Sequence, residues 1–272
     1  MRALLGPASL IRVGRLQSWL SALAISICAC ERSSDAGGQH AGASTSDSTT
    51  GEPPACEGEG WSDGSAEDTG LGMGDDMPLP LTIEALQRGD ASNGTVVALT
   101  GVIVVSPSAP SEVLSGRELF VQDPAGGAWS GLRVVATAFD LVPGDVVDLV
   151  GDVATQGGFV ALQVRRTADM VRTGSAGLPA ATQVEIEDIA PMAASARQYE
   201  GVVVEVVDAM VTDADPCMGE VVLDDLVRVD DRFMPGQLDG MQDGDTLSAV
   251  RGVFVSASGS YELAPPDPSA VR

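Results

Sequence analysis

The sequence predicts an all-β body of two similar modules, held behind an export leader and a polar stalk. Three observations carry this. Short valine-rich runs bounded by Gly, Asp or Pro recur from residue 81 onward, the pattern of strands in a barrel or sandwich. The runs come twice in the same order, about 100 residues apart, and internal repetition decides a fold early. Ahead of them, residues 31–80 have no apolar periodicity and are dominated by Ser, Gly, Ala, Thr, Asp and Glu.

The chain begins with a basic, then apolar, segment. Residues 1–29 hold Arg2, Arg12 and Arg15 and no acid, and an apolar run from Leu20 to Ile27 follows them. That order is the pattern of a secretory signal, and the run is shorter than the roughly 20 apolar residues a bilayer span needs. It ends Ile27-Cys28-Ala29-Cys30. This resembles the lipobox of bacterial lipoproteins: an aliphatic residue, a tolerant position, a small residue, then cysteine. Cys28 occupies the tolerant position; as the modified residue it would place bulky Ile27 at the small-residue site. The resemblance implies cleavage after residue 29, lipidation of Cys30, palmitate-type acylation, and a membrane anchor. Several chains hold stably because each buried methylene contributes about 0.8 kcal/mol. It also implies the cell envelope, with the outer membrane of a Gram-negative bacterium as the expected destination.

Residues 30–80 are then the lipidated N-terminus and an acidic Ser/Gly-rich tether. The stretch AGASTSDSTTG at 41–51 is typical. Such a chain cannot bury enough apolar surface to offset its ordering entropy, so disorder is expected. About 50 residues of flexible linker span roughly 40 Å, enough to hold the body clear of a surface.

The modules are expected at 81–175 and 184–272. In the first, residues 96–105 read VVALTGVIVV, residues 117–123 RELFVQD and residues 143–147 PGDVV, before a terminal hairpin through Gly157, Gly158 and Phe159. In the second, residues 200–204 read EGVVV, residues 219–225 GEVVLDD and residues 243–247 DGDTL, with a hairpin through Ser258, Gly259 and Tyr261. Gly101 inside the long first strand is a candidate bend or bulge. Residues 123–127, DPAGG, form a turn in which proline presets φ and glycine admits positive φ. Alternation in 146–150 puts Val147 and Leu149 on one face and Val146, Asp148 and Val150 on the other. Each module opens with a short helical candidate. Residues 81–86 have Thr82 as the N-cap; residues 185–194 play that part in the second module, interrupted by Pro191.

The string NG-x-VV-x-L-x-GVIV, then LFVQDPAGGAWSGLRV, then L-x-PGD-x-V-x-L-x-GDV resembles the OB-fold modules of bacterial secreted proteins, which occur alone or ahead of nuclease domains in extracellular nucleases. The resemblance covers about residues 81–171 well and about 184–271 less well, where the DPAGG turn is missing. It implies two tandem OB-like small β-barrels. The nuclease domain is absent, so its activity does not carry over.

Composition narrows the chemistry. The chain has 15 basic and 39 acidic residues, no lysine, and one histidine, His40, in the tether. Removing residues 1–29 leaves 12 basic residues against 39 acidic, a net charge of −27. Such a field repels phosphate backbones; its plain use is solubility. A body without histidine supports no Ser-His-Asp or Cys-His mechanism and no histidine-dependent zinc site. The G-x-S-x-G string at Gly60-Trp61-Ser62-Asp63-Gly64 lies in the tether, with no strand before it and no histidine after it, so it is not a nucleophile elbow. No phosphate-loop or dinucleotide motif appears, and no cofactor or resident metal is expected. The expectation is a non-enzyme.

OB-folds carry ligands on strands 2 and 3 and the adjoining loops. The candidate contacts there are Trp129, Arg133 and Phe120, with Trp129 in a glycine-rich hairpin as the leading one. The bland readings weigh more: Trp129 as a cover for the barrel end, and Phe120 and Phe159 as core residues rather than stacking platforms. Acidic loops (Asp239, Asp243 and Asp245; Asp224, Asp225, Asp230 and Asp231) offer oxygen ligands of the kind Ca2+ prefers, but without EF-hand spacing, and a solvated acidic surface explains them better. Cys56 and Cys217 either pair in an oxidising compartment or remain isolated thiols. The functional expectation is a binding lipoprotein, monomeric or weakly associating, whose partner is a protein or an envelope glycan. An OB-type nucleic-acid module is the alternative, and a carboxylate hydrolase the third reading.

Overall fold

The computed structural model describes residues 77–272, apart from 112, 113, 157, 217, 218 and 258. The leader, Cys30, the tether up to residue 76, Cys56 and Cys217 lie outside the described residues; the last residues of the stretch expected as tether, Leu79–Pro80, are a strand paired with the first barrel. No helix among the described residues is long and apolar enough to cross a membrane.

A short strap precedes the first barrel. β1 (Leu79–Pro80) pairs parallel with β2 (Val96–Val104), and α1 (Ile83–Gln87) lies between them. Thr82 caps α1 as expected: its Oγ1 accepts the Ala85 N–H at 3.2 Å, satisfying one of the free donors of the first turn. Ile83 and Leu86 face inward and join the barrel core.

Chain continuity then builds a closed barrel. After β2 come β3 (Ala109–Pro110), β4 (Arg117–Gln122), β5 (Gly131–Ala136), β6 (Asp145–Gln156) and β7 (Phe159–Gln163). The hydrogen-bonded order is β2-β4-β5-β7-β6, and β6 returns to pair with β2. β5 and β7 run parallel; the other barrel pairs are antiparallel. That is the order of an OB-fold. β8 (Met170–Ser175) adds to the outer side of β6.

Gly101 closes the first barrel. It takes φ +68°, and the register on β6 slips between Leu99 and Val102. Val97 and Leu99 point into the core before it, Val102 and Val104 after it, so the inward phase shifts by one residue. Its freed N–H donates to Asp148 Oδ1 at 2.8 Å. The alternation read in 146–150 holds: Val147 and Leu149 are buried, Val146, Asp148 and Val150 half-buried.

The second barrel repeats this plan. β9 (Thr182–Gln183) straps parallel against β10 (Val203–Asp213), as β1 does against β2. β11 (Glu220–Leu223), β12 (Val227–Asp230), β13 (Thr246–Ala257) and β14 (Ser260–Ala264) complete the order β10-β11-β12-β14-β13, closed by β13 on β10, with β12 and β14 parallel. The helix expected at 185–194 is only a 3-10 turn, Ile186–Asp188. Pro191 lacks an N–H and biases its predecessor away from helical geometry. Ile186 and Ile189 still fill the barrel end. Asp208 stands where the first barrel has Gly101. It holds φ +54°, and the buried phase passes from Val204 and Val206 to Ala209 and Val211.

Both barrels belong to one compact unit. Each has its own interior, and a third apolar cluster joins them: Ile103, Val105, Ala109 and Phe120 from the first barrel meet Val203, Phe233, Val253, Val255 and Ala264 from the second. The backbones touch at Gly131 and Gly201, where a Cβ on Gly131 would overlap the Gly201 carbonyl. Gly131→Ala is therefore expected to lower stability by about 1–3 kcal/mol through forced overpacking. Gly177→Ala, at a position with open space around it, should change stability by less than about 0.5 kcal/mol. Urea unfolding of both variants checks this.

Candidate functional site

The ligand face of an OB barrel is the outer side of its second and third strands, here β4 and β5. In β4, Leu119 and Val121 enter the barrel, so Glu118, Phe120 and Gln122 project outward. In β5, Leu132 and Val134 point in and Arg133 points out. In this protein the outward side is not open. Residues 118–122 and all of β5 are buried, because the second barrel covers them.

Phe120 is fully buried, its ring edge-on to Phe233 at 6.4 Å between centroids. Its backbone N–H donates to Ser106 Oγ at 2.9 Å. Arg133 is only 1% exposed. Its guanidinium stacks over the Phe120 ring at 5.3 Å, and Nη2 donates to the Ser256 carbonyl and Oγ. Nε lies 3.6 Å from Glu118 Oε2, and Nη2 lies 3.8 Å from Glu200 Oε1. Arg232 continues the chain of charges: Nη2 meets Glu118 Oε1 at 2.8 Å and Nη1 meets Glu262 Oε1 at 3.4 Å. Gln122 spans the same seam, its Oε1 accepting the Val203 N–H at 3.1 Å.

Two of the three candidate contacts thus have the second barrel, not solvent, in front of them. Phe120 and Arg133 are corrected from open ligand contacts to seam residues: covering the β4–β5 face removes both from water. Trp129 is half-buried at the rim, with φ +65°. Its backbone N–H donates to the Gln198 carbonyl, and Arg88 lies over its ring at 4.9 Å. Phe159 is also at the junction, edge-on to Tyr261 at 5.7 Å, rather than in the barrel core. Sequence reading missed Glu118, Glu200, Arg232, Phe233 and Glu262. One signal was present: Phe120, between inward Leu119 and Val121, had to face out, and a large outward aromatic calls for a cover.

Two guanidiniums, Arg133 and Arg232, meet three carboxyls, Glu118, Glu200 and Glu262, and Arg197 also pulls on Glu200. Burial pushes the Glu200 carboxyl up to about 7, against the pull of Arg133 and of the Ser256 hydroxyl, which donates to Oε1 at 2.9 Å. Glu200 Oε2 has no hydrogen-bond partner, as suits an oxygen that does not carry a full charge.

The corresponding face of the second barrel is polar. Glu220, Val222, Arg228 and Asp230 are half-buried along β11 and β12. Arg228 Nη1 meets Glu220 Oε2 at 2.7 Å. Carboxylate oxygens of Glu220, Asp230 and Glu262 lie within 4.8 Å of one another. They are the donor type for a hard cation, yet Arg228 and Arg232 already offset Glu220 and Glu262. Burial raises Asp230 to about 6. The acidic loops serve the backbone instead. Asp224, Asp231, Asp243 and Asp245 accept N–H groups from Met210, Gly236, Ala214 and Gln242. Asp145 does the same for Val142 in the first barrel, so Asp145 and Asp245 are repeat equivalents.

No protein-family model matches the chain, and no curated protein matches it in sequence. Among solved structures it is similar to a murine DNA binding protein bound with ds DNA, at 12% identity over 66% of this chain and 97% of that chain, with a TM-score of 0.30. A likeness of that size carries no argument; the barrel assignment rests on the strand pairing itself.

Glu200 and Asp230 set the pH dependence of stability. Their folded values, about 7 and about 6, lie above the ordinary 4.5 and 3.8, so the folded state holds these protons more tightly than the unfolded chain. Their contribution to stability is full below about 4 and is lost as pH rises through 6 and 7. The Glu200 part amounts to at most roughly 3 kcal/mol. The thermal midpoint should fall between pH 5 and pH 8, and Asp230→Asn should flatten the lower part of that fall. Arg232→Ala should lower stability by roughly 3 kcal/mol, by removing the cation shared by two buried carboxylates, of which Glu118 keeps Arg133 and Ser111.

Proposed function

We propose that this chain is a lipid-anchored, non-catalytic binding protein of the cell envelope, whose double-barrel body meets a protein or glycan partner. The observation that carries the binding part is the covered β4–β5 face. The arginine and aromatic that an OB module would use to stack and neutralise a nucleic-acid strand are both spent on the seam, Arg133 and Phe120 being 1% and 0% exposed. The excess of 39 acidic over 15 basic residues works in the same direction, since single-strand binders rely on a basic groove. The anchor part is supported by Ile27-Cys28-Ala29-Cys30 after a basic and apolar leader. The outer membrane of a Gram-negative envelope is the proposed location, and a partner reached across the tether the proposed target.

The alternative, an oligonucleotide-binding module, keeps one point in its favour: the Trp129 ring remains partly exposed at the rim of the face.

Two experiments test this reading. Metabolic labelling with palmitate should mark the chain, and Cys30→Ala should abolish the label and release the protein from membranes; label retained in that variant would move or remove the anchor. Fluorescence anisotropy with a labelled single-stranded oligonucleotide at low salt should give no binding. Salt-sensitive binding that weakens at least tenfold in Trp129→Ala would transfer the conclusion to the alternative.

A further inference from the structure

The seam between the barrels has properties that a purely structural joint does not need. It closes the face where an OB barrel takes its ligand. Its apolar part, Phe120 on Phe233 with Val203, Val253 and Val255 around them, would suffice for adhesion. Yet Glu118, Arg133, Glu200 and Glu262 are buried in the same layer, and Glu200 is poorly compensated there: it is 2% exposed and its contact with Arg133 is long, 3.8 Å. A buried uncompensated charge is costly, and such a group sheds its charge instead. Glu200 Oε2 has no hydrogen-bond partner.

We propose that the seam is a proton-held clasp: Glu200 keeps one proton while the barrels are closed on each other, and its loss to solvent loosens the seam and uncovers the β4–β5 face of the first barrel. The step is a simple ionisation. The Glu200 O–H bond breaks, the proton leaves to water, and the carboxylate is left with a buried negative charge. The groups facing it come from every element around it. Arg133 on β5 and Arg197 on the preceding turn favour the charge. Glu118 on β4 opposes it. Tyr261 on β14 feels it as a neighbouring negative group, and Ser256 on β13 donates to Oε1. Arg232 cannot move across to compensate without leaving Glu118 and Glu262. Burial holding the carboxyl near neutrality puts the transition within reach of ordinary environments. The seam is closed on the acid side and looser on the alkaline side. This inference goes beyond the proposed function and does not depend on the lipid anchor or on the class of partner.

Trp129 offers the readout, because its backbone N–H bonds Gln198 across the junction and the chain has only three tryptophans. With Trp19→Phe and Trp61→Phe in the full chain, acrylamide quenching reports Trp129 alone. Exchange of the Trp129 and Val203 amides, followed by NMR and corrected for the intrinsic rate, reports the cross-seam bonds directly. Protection of these amides should drop by up to about tenfold per pH unit between about 4.5 and 7, where the closed seam holds one proton more than the open one, and level off above 7. Quenching should rise over the same range, with β-sheet circular dichroism unchanged. Glu200→Gln, which keeps the shape and loses the ionisation, should make both profiles flat. Ser256→Ala, which removes a hydrogen bond to the charged form, should shift the midpoint to higher pH, where a merely structural defect would weaken protection at every pH. Flat profiles in the parent chain, a profile in Glu200→Gln like that of the parent, or loss of sheet signal together with the quenching change would each overturn the clasp.

Discussion

The body depends on one constraint: β4 and β5 are buried on both sides. A barrel strand normally shows one face to its own core and the other to water. Here the inner face carries Leu119, Val121, Leu132 and Val134, and the outer face carries Glu118, Phe120, Gln122 and Arg133 under the second barrel. Covering a sheet face that holds an arginine and a glutamate requires the cover to bring partners. Arg232, Glu200 and Ser256 are those partners. The position of the second barrel, the close approach of Gly131 and Gly201, and the availability of every candidate contact all follow from that demand.

Repetition of the fold has not brought repetition of use. The two barrels share strand order, parallel strap, filled end and the Asp-capped turn at Asp145 and Asp245. Their strand 2 and 3 faces have diverged. In the first, Phe120 and Arg133 make a surface that is stable only when covered. In the second, Glu220, Arg228 and Asp230 make a surface that tolerates water. A tandem of like domains has two equivalent faces to use; this one closes the first against the body of the second and leaves the second polar.

A mixed apolar and ionic joint has a known thermodynamic character. Buried ion pairs seldom stabilise more than well-packed apolar side chains would, but breaking one is costly. The apolar cluster around Phe120 and Phe233 therefore supplies adhesion, while the Arg133 and Arg232 network allows only one registration of the barrels. Aspartates elsewhere have a humbler task. Most of those suggested as cation ligands accept backbone N–H groups at turns, which explains why they cluster without EF-hand spacing.

The sequence by itself determined a great deal of the local architecture. Valine-rich runs between Gly and Asp turns specify strands because side-chain period and turn chemistry are local properties. Thr82 as a cap, Gly101 as the bulge and the two-fold repeat were legible for that reason. The helix expected near 185–194 is only one turn, with Pro191 three residues beyond its end, also a local effect. Asp208 was harder: an aspartate at positive φ in place of Gly101 leaves no compositional mark. What only the tertiary structure decided is which outward faces are covered. Phe120 and Arg133 look the same in sequence whether they wait for a ligand or for the neighbouring barrel. Their burial comes from groups more than 60 residues away, Arg232, Glu200 and Ser256, and no periodicity links residues at that separation. Charge composition could say what this body repels; only the packing of one barrel on the other says which of its surfaces remain to bind anything.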